Sequence, residues 1–250
     1  MVGKQIRISS WLKNNKTFLI ALDEIIPKGL NPNVKDFGAL ISELATSPID
    51  GLVLHPGIAM RYGNLLAGRC PWIAKLTTNS NLVSDKNDRV VIGSLQQALS
   101  LGASGIAVNV FLGKDYEKNQ LNFLAKCVEE GNRWGMPVIA FMSPPDNNEF
   151  DPNSIAYACR VGTEIGADFI KANYTGSSET FKDVIRQTLA PVIIEYSPLP
   201  ETTEGTLETV RGSLAAGASG VHFGNCILNN PNQIQLVKSI AELIHQNPNQ

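Results

Sequence analysis

Compact apolar runs recur along the chain, at residues 17–23, 51–55, 72–77, 105–110, 137–142, 168–174, 191–196 and 220–224. They lack the strict alternation of a half-exposed strand and carry the pattern of strands buried on both faces. Between them lie stretches with helical spacing of apolar residues, among them 34–45, 94–101, 116–134 and 234–245. Strands alternating with helices, without a composition break between the halves, predict an α/β chain folded as a single closed (β/α)8 TIM barrel over residues 1–250. An open doubly wound sheet is the structural alternative. A short echo supports the barrel: Gly102-Ala103-Ser104-Gly105-Ile106 recurs as Gly217-Ala218-Ser219-Gly220-Val221, and more loosely as Gly166-Ala167-Asp168-Phe169-Ile170. In each copy a helix is expected to end on a left-handed glycine and a buried strand to start at once. The polar tail 246–250 is expected to fray.

The 250 residues suit one such barrel. A hydrophobic content of 43% argues against disorder. The net charge of -2 supplies no electrostatic reason for a nucleic-acid or anionic-membrane partner. The cysteines, Cys70, Cys127, Cys159 and Cys226, form no CxxC pair and read as free thiols in a reducing compartment. No run approaches the ~20 apolar residues of a membrane helix. These features together predict a soluble cytoplasmic protein.

Barrel chemistry sits at the C-terminal ends of the strands. That rule selects Asp23, His55, Lys75, Asn109, Ser143, Lys171, Tyr174, Glu195, Tyr196 and His222. A strand parity in error by one residue would turn some of these outward. Lys171 stands out, because an ammonium is costly to bury and a desolvated amine can attack a carbonyl. The plainer reading is a lysine that snorkels to the barrel mouth or holds a phosphate. Asp23 can serve as acid or base, or only as a loop aspartate. Lys75 is either an outward-facing lysine or a second charge lowering the pKa of Lys171. His55 and His222 read more readily as satisfied polar residues than as catalysts, and Tyr174 and Tyr196 more readily as packing than as proton donors. Three histidines offer no metal-ligand cluster, and no dinucleotide, Walker, HExxH or GxSxG motif occurs.

The segment Ala167-Asp168-Phe169-Ile170-Lys171-Ala172-Asn173-Tyr174-Thr175-Gly176 resembles the Schiff-base strand of the archaeal-type class I fructose-bisphosphate aldolases. That DeoC/FbaB-like family includes the 2-amino-3,7-dideoxy-D-threo-hept-6-ulosonate synthases and the autoinducer-2 thiolase. Leu22-Asp23, Trp134-Gly135-Met136-Pro137-Val138-Ile139-Ala140 and the stretch from Gly220-Val221 to His245 carry the similarity along most of the chain. The resemblance implies that Lys171 forms an imine with a small carbonyl substrate, that Asp23 assists proton transfer, that no metal or organic cofactor is needed, and that the chain assembles as a homo-oligomer.

The family pattern is broken in several places. Its tyrosine acid after strand five is replaced by Ser143-Pro144-Pro145-Asp146. Its paired phosphate-binding glycines after strand seven become Glu195-Tyr196-Ser197-Pro198, its Gly-Arg after strand eight becomes Gly224-Asn225, and Glu24-Ile25 stands beside Asp23 where the family has His-Gly. Proton delivery would then fall to Asp146, Tyr196 or a water. A carboxylate where a phosphate would sit opposes it. The chain therefore reads as a divergent class I aldolase-like lyase, using Lys171 and Asp23 on a substrate that is not a sugar bisphosphate. A thiolase-like acyl transferase and a non-catalytic binding barrel are the alternative readings.

Overall fold

In the computed structural model, which describes residues 1–245, eight parallel strands close into a barrel. They are β1 (Thr17–Ala21), β2 (Gly51–Leu54), β3 (Trp72–Lys75), β4 (Gly105–Phe111), β5 (Val138–Ser143), β6 (Phe169–Ala172), β7 (Val192–Ile194) and β8 (Gly220–Phe223). Each pairs with its neighbour in chain order, and β8 closes on β1 with Thr17 opposite Gly220. At that seam a side chain is impossible: Gly220 has φ +144°, and a Cβ there would lie 1.9 Å from the Thr17 carbonyl oxygen. The expected tail at 246–250 lies outside the described residues.

Strand parity divides the apolar residues into two compartments. Leu19, Val53, Ile73, Ala107, Ile139, Phe141, Phe169 and Ile193 point inward and fill the barrel. Their strand neighbours, such as Phe18, Ile20, Leu52, Val108 and Ile170, point outward against the helices. This double burial is why the strands read as continuous apolar runs. The echoed turns end on left-handed glycines as expected: Gly166 and Gly217 are C-caps of the helices Pro152–Ile165 and Thr203–Ala216, and Gly102, φ +79°, follows the C-cap Leu101 of the helix Leu95–Ser100.

Several elements depart from the pattern read along the chain. The helix Val2–Trp11 closes the bottom of the barrel, with the Trp11 ring 4.8 Å from that of Phe169. It is anchored by ion pairing of Lys4 with Asp168 at 2.9 Å. Above the barrel, Thr77–Thr78 and Val90–Val91 form a small antiparallel ribbon after β3. Short helices, Ile25–Lys28 and Asn225–Leu228, follow β1 and β8 directly. The hydrogen-bonded strands also stop short of Asp23, His55 and Thr77, leaving those residues at the start of the upper loops. No helix among the described residues is long and apolar enough to cross a membrane.

Candidate active site

A cleft of about 370 Å³ opens at the C-terminal ends of the strands. Lys171 reaches it from β6, where the register sets it beside the inward-facing Phe141 of β5. Its side chain is nearly buried and its Nζ donates to a carboxylate oxygen of Glu195, the residue that follows β7. Lys75, at the end of β3, also points inward and pairs with Asp23 at 3.2 Å. The outward-facing alternative for Lys75 does not hold, because Ile73 and Lys75 share the inward parity of β3. Both ammonium groups lie 4.1 Å from the centroid of the Phe141 ring, whose π face supports two adjacent cations.

Burial and charge set the protonation states. Burial lowers the Lys75 ammonium to about 8, against the pull of Asp23 and with the push of Lys171. Burial would raise the Asp23 carboxyl, but the Lys75 charge, together with His222, His55 and Lys171 around it, outweighs burial and holds Asp23 well below the usual carboxylate range. His222 forms the floor between the two carboxylates, Nε2 4.0 Å from Asp23 Oδ1 and Nδ1 3.7 Å from Glu195 Oε1. Burial pushes its imidazole down to about 3, so it is neutral at physiological pH. Neither ring nitrogen of His222, nor Asp23 Oδ1, has a hydrogen-bond partner among the described residues.

The remaining sequence candidates occupy distinct positions. Asn109 and Ser143 line the cleft on β4 and β5, and Asn109 Oδ1 accepts from Thr77 Oγ1 at 3.2 Å. His55 lies beneath the rim, its ring nitrogens 3.2 Å from the Lys75 carbonyl oxygen and 3.0 Å from that of Asp23. It ties β2 to its neighbours instead of facing the cleft. Tyr174 is displaced outright from the expected substrate contact. Three residues beyond the inward Lys171, it takes the outward parity, and its ring packs edge-on at 5.1 Å from Phe181 in the helix layer. Asp146 stands at the rim near Lys114 and bonds Asn87.

Gly224 and Asn225 do not line the main cleft: they border a separate small cavity of about 40 Å³ at the β7–β8 corner, together with Glu195, Tyr196 and His222. Glu24 swings across the β1–β8 seam and accepts the Asn225 N–H at 2.9 Å. A Cβ on Gly224 would lie 2.2 Å from Glu24 Oε2, so only glycine admits this approach. Tyr196 donates its hydroxyl to Glu24 Oε1 at 2.7 Å, and Lys28, one turn on, bonds both of them. Burial, then the Glu195 and Glu24 charges, raise the Tyr196 hydroxyl far above its ordinary range, so it is a reluctant proton donor.

Residues absent from the sequence-derived list also shape the cleft: Glu24, Lys28, Thr77 and Arg89. Glu24 was visible only as a departure from a family pattern. Arg89 lies in a polar stretch after β3 that offers no periodic signal. Its contribution to the site depends on the ribbon folding back over the barrel.

A family model described as DeoC/LacD family aldolase matches residues 14–230. Over 245 residues, 97% of this chain and 92% of the relative, the sequence is 29% identical to the 2-amino-3,7-dideoxy-D-threo-hept-6-ulosonate synthase of Halobacterium salinarum. Over 254 residues, 98% of this chain and 95% of the relative, it is 28% identical to the class 1 fructose-bisphosphate aldolase of Thermoproteus tenax. Among solved structures, a Schiff-base-forming fructose-1,6-bisphosphate aldolase superposes with a TM-score of 0.89 at 27% identity, covering 97% of this chain and all (100%) of that one.

Proposed function

Since the chain belongs to the DeoC/LacD aldolase family and shares its carbon–carbon lyase chemistry through a lysine Schiff base, we propose that Lys171 is the imine-forming lysine. The observation that carries this is the contact between Lys171 Nζ and Glu195 inside a largely desolvated cleft. A carboxylate in hydrogen-bond reach can take the ammonium proton and release the nucleophilic amine. The same carboxyl can then protonate the departing hydroxyl as the carbinolamine loses water. With the imine formed, the bond beside it can break toward an enamine, and Glu195 is again the nearest group to move a proton at that carbon. Serine at position 143 has too high a pKa to replace it. Asp23, kept ionised by Lys75, would stabilise the cationic imine and accept a substrate hydroxyl through its unpartnered Oδ1.

The substrate on this reading is a small carbonyl compound without a phosphate at the β7–β8 corner. Glu24 already accepts the Asn225 amide there, and an arriving anion would face a carboxylate. Borohydride reduction in the presence of small ketones and keto acids, followed by intact mass, tests the reading. A ligand-sized adduct lost in Lys171→Ala supports it. An adduct that persists in that variant, or forms on another lysine, overturns it.

A further inference from the structure

We propose that the hairpin between the ribbon strands Thr77–Thr78 and Val90–Val91 carries a subsite for an anionic group of the substrate, a carboxylate or a phosphate, anchored by Arg89. This inference rests on the imine reading of Lys171 for the identity of the bound molecule as a carbonyl compound.

The cations facing the cleft fall into two sets. Lys171, Lys75 and Lys28 come from the barrel and its first loop, and each has its own carboxylate: Glu195, Asp23 and Glu24. Arg89 and Lys86 come from the hairpin, and among the described residues neither has a carboxylate within ion-pair distance. Lys86 is exposed and bonds only the Asn81 carbonyl oxygen. Arg89 is half-buried, and the carboxylates whose charge reaches it, Asp23 and Glu195, are each paired with a lysine, so the absence of an ion-pair partner of its own is the more telling.

Arg89 is also held in place. Its guanidinium lies 5.2 Å from the centroid of the Phe111 ring at the end of β4, and Nη1 donates to the side-chain oxygen of the buried Asn79. One amide oxygen and a ring face orient the group without neutralising it. Its Nε is buried and has no acceptor among the described residues. A guanidinium presents donors in a planar fork that matches two oxygens of a carboxylate or phosphate. Orientation before binding reduces the entropy lost when such a group docks. The arrangement also gives the cleft polarity: an anion at the β7–β8 corner meets the Glu24 carboxylate, while on the hairpin side Arg89 presents a guanidinium that no ion pair among the described residues engages.

Two matched pairs of ketones test the subsite by calorimetric titration: 4-oxopentanoate against pentan-2-one, and dihydroxyacetone phosphate against dihydroxyacetone. The first pair probes a carboxylate and the second a phosphate. Wild-type protein should bind at least one anionic member about tenfold or more tighter than its neutral counterpart, the range of a charge-assisted bidentate contact. Arg89→Met should erase that preference, and Arg89→Lys, which keeps the charge but loses the fork, should retain a smaller one. No preference in wild type with either pair, or an undiminished preference in Arg89→Met, overturns the proposal. Should Arg89→Met not fold, the ratio in Arg89→Lys decides, and an unchanged ratio overturns it. Borohydride trapping with the same four ketones separates this inference from the imine reading. An Arg89-dependent preference without a reducible adduct sustains the subsite and sinks the imine. Lys171 adducts formed equally with charged and neutral ketones do the reverse.

Discussion

The carboxylate of Glu24 accepts the backbone N–H of Asn225 at 2.9 Å, bridging residues from the opposite ends of the barrel sequence. An amide at a helix start is an ordinary place for an anion. Here the anion is part of the protein, and it is tied to Tyr196 and Lys28. Glu24→Ala frees the amide and leaves Lys28 without its partner. Inorganic phosphate should then bind about tenfold more tightly than to wild type, the scale of one charge-assisted contact. Calorimetric titration of both proteins checks this, and equal affinities would remove Glu24 from the account of substrate choice.

Glu195 is the group best placed to move protons at Lys171. Glu195→Gln keeps the shape and an acceptor oxygen but loses the base. The rate of borohydride-trapped adduct formation should fall by about 100-fold, at the lower end of general acid–base contributions, while the adduct remains on Lys171. A rate within about twofold of wild type would move the proton transfers elsewhere.

Asp23 and Lys75 form a buried pair, and breaking it is expected to be costly. Asp23→Asn strands the Lys75 charge and should destabilise the protein by about 3–5 kcal/mol in urea unfolding. Adding Lys75→Met should recover most of that loss. A double variant as unstable as the single one would show that the pair interaction is not the source of the effect.

The Lys75 ammonium titrates near 8 in the folded protein and at an ordinary 10.5 when unfolded. Its contribution to stability is therefore fully present above 10.5 and lost as pH falls through about 8, because the folded state disfavours the proton that the unfolded chain binds. Wild-type stability should gain on that of Lys75→Met between pH 8 and 10, read by urea unfolding at several pH values. Parallel profiles would contradict the lowered value.

Closure of the barrel depends on the missing side chain at Gly220. In Gly220→Ala, a methyl would meet the Thr17 carbonyl in a backbone conformation that alanine rarely adopts. The expected loss is about 3 kcal/mol, combining backbone strain with the displaced seam. A midpoint within error of wild type in urea would mean that β1 and β8 can separate locally without cost.

The barrel was legible along the chain because double burial makes each strand a local signal. Phe18 to Leu22 are all apolar whichever way they face, so the strand appears without knowledge of its partners. Lys171 was legible for the complementary reason, as an isolated charge within such a run. Face assignment was less accessible, since an apolar run hides its own parity. Only the closed register turned Lys75 inward and Tyr174 outward.

The sequence by itself determined the alternation of buried strands and helices and the lysine that breaks strand six. Tertiary structure alone decided which charges meet. Glu195 was paired with Lys171, Asp23 with Lys75 and Glu24 with the Asn225 amide, while Arg89 was brought over the cleft without a carboxylate partner among the described residues. The physical reason is range: burial of a strand is written in consecutive residues, whereas a polar contact across a barrel joins positions 24 to 201 residues apart and leaves no periodic trace in either.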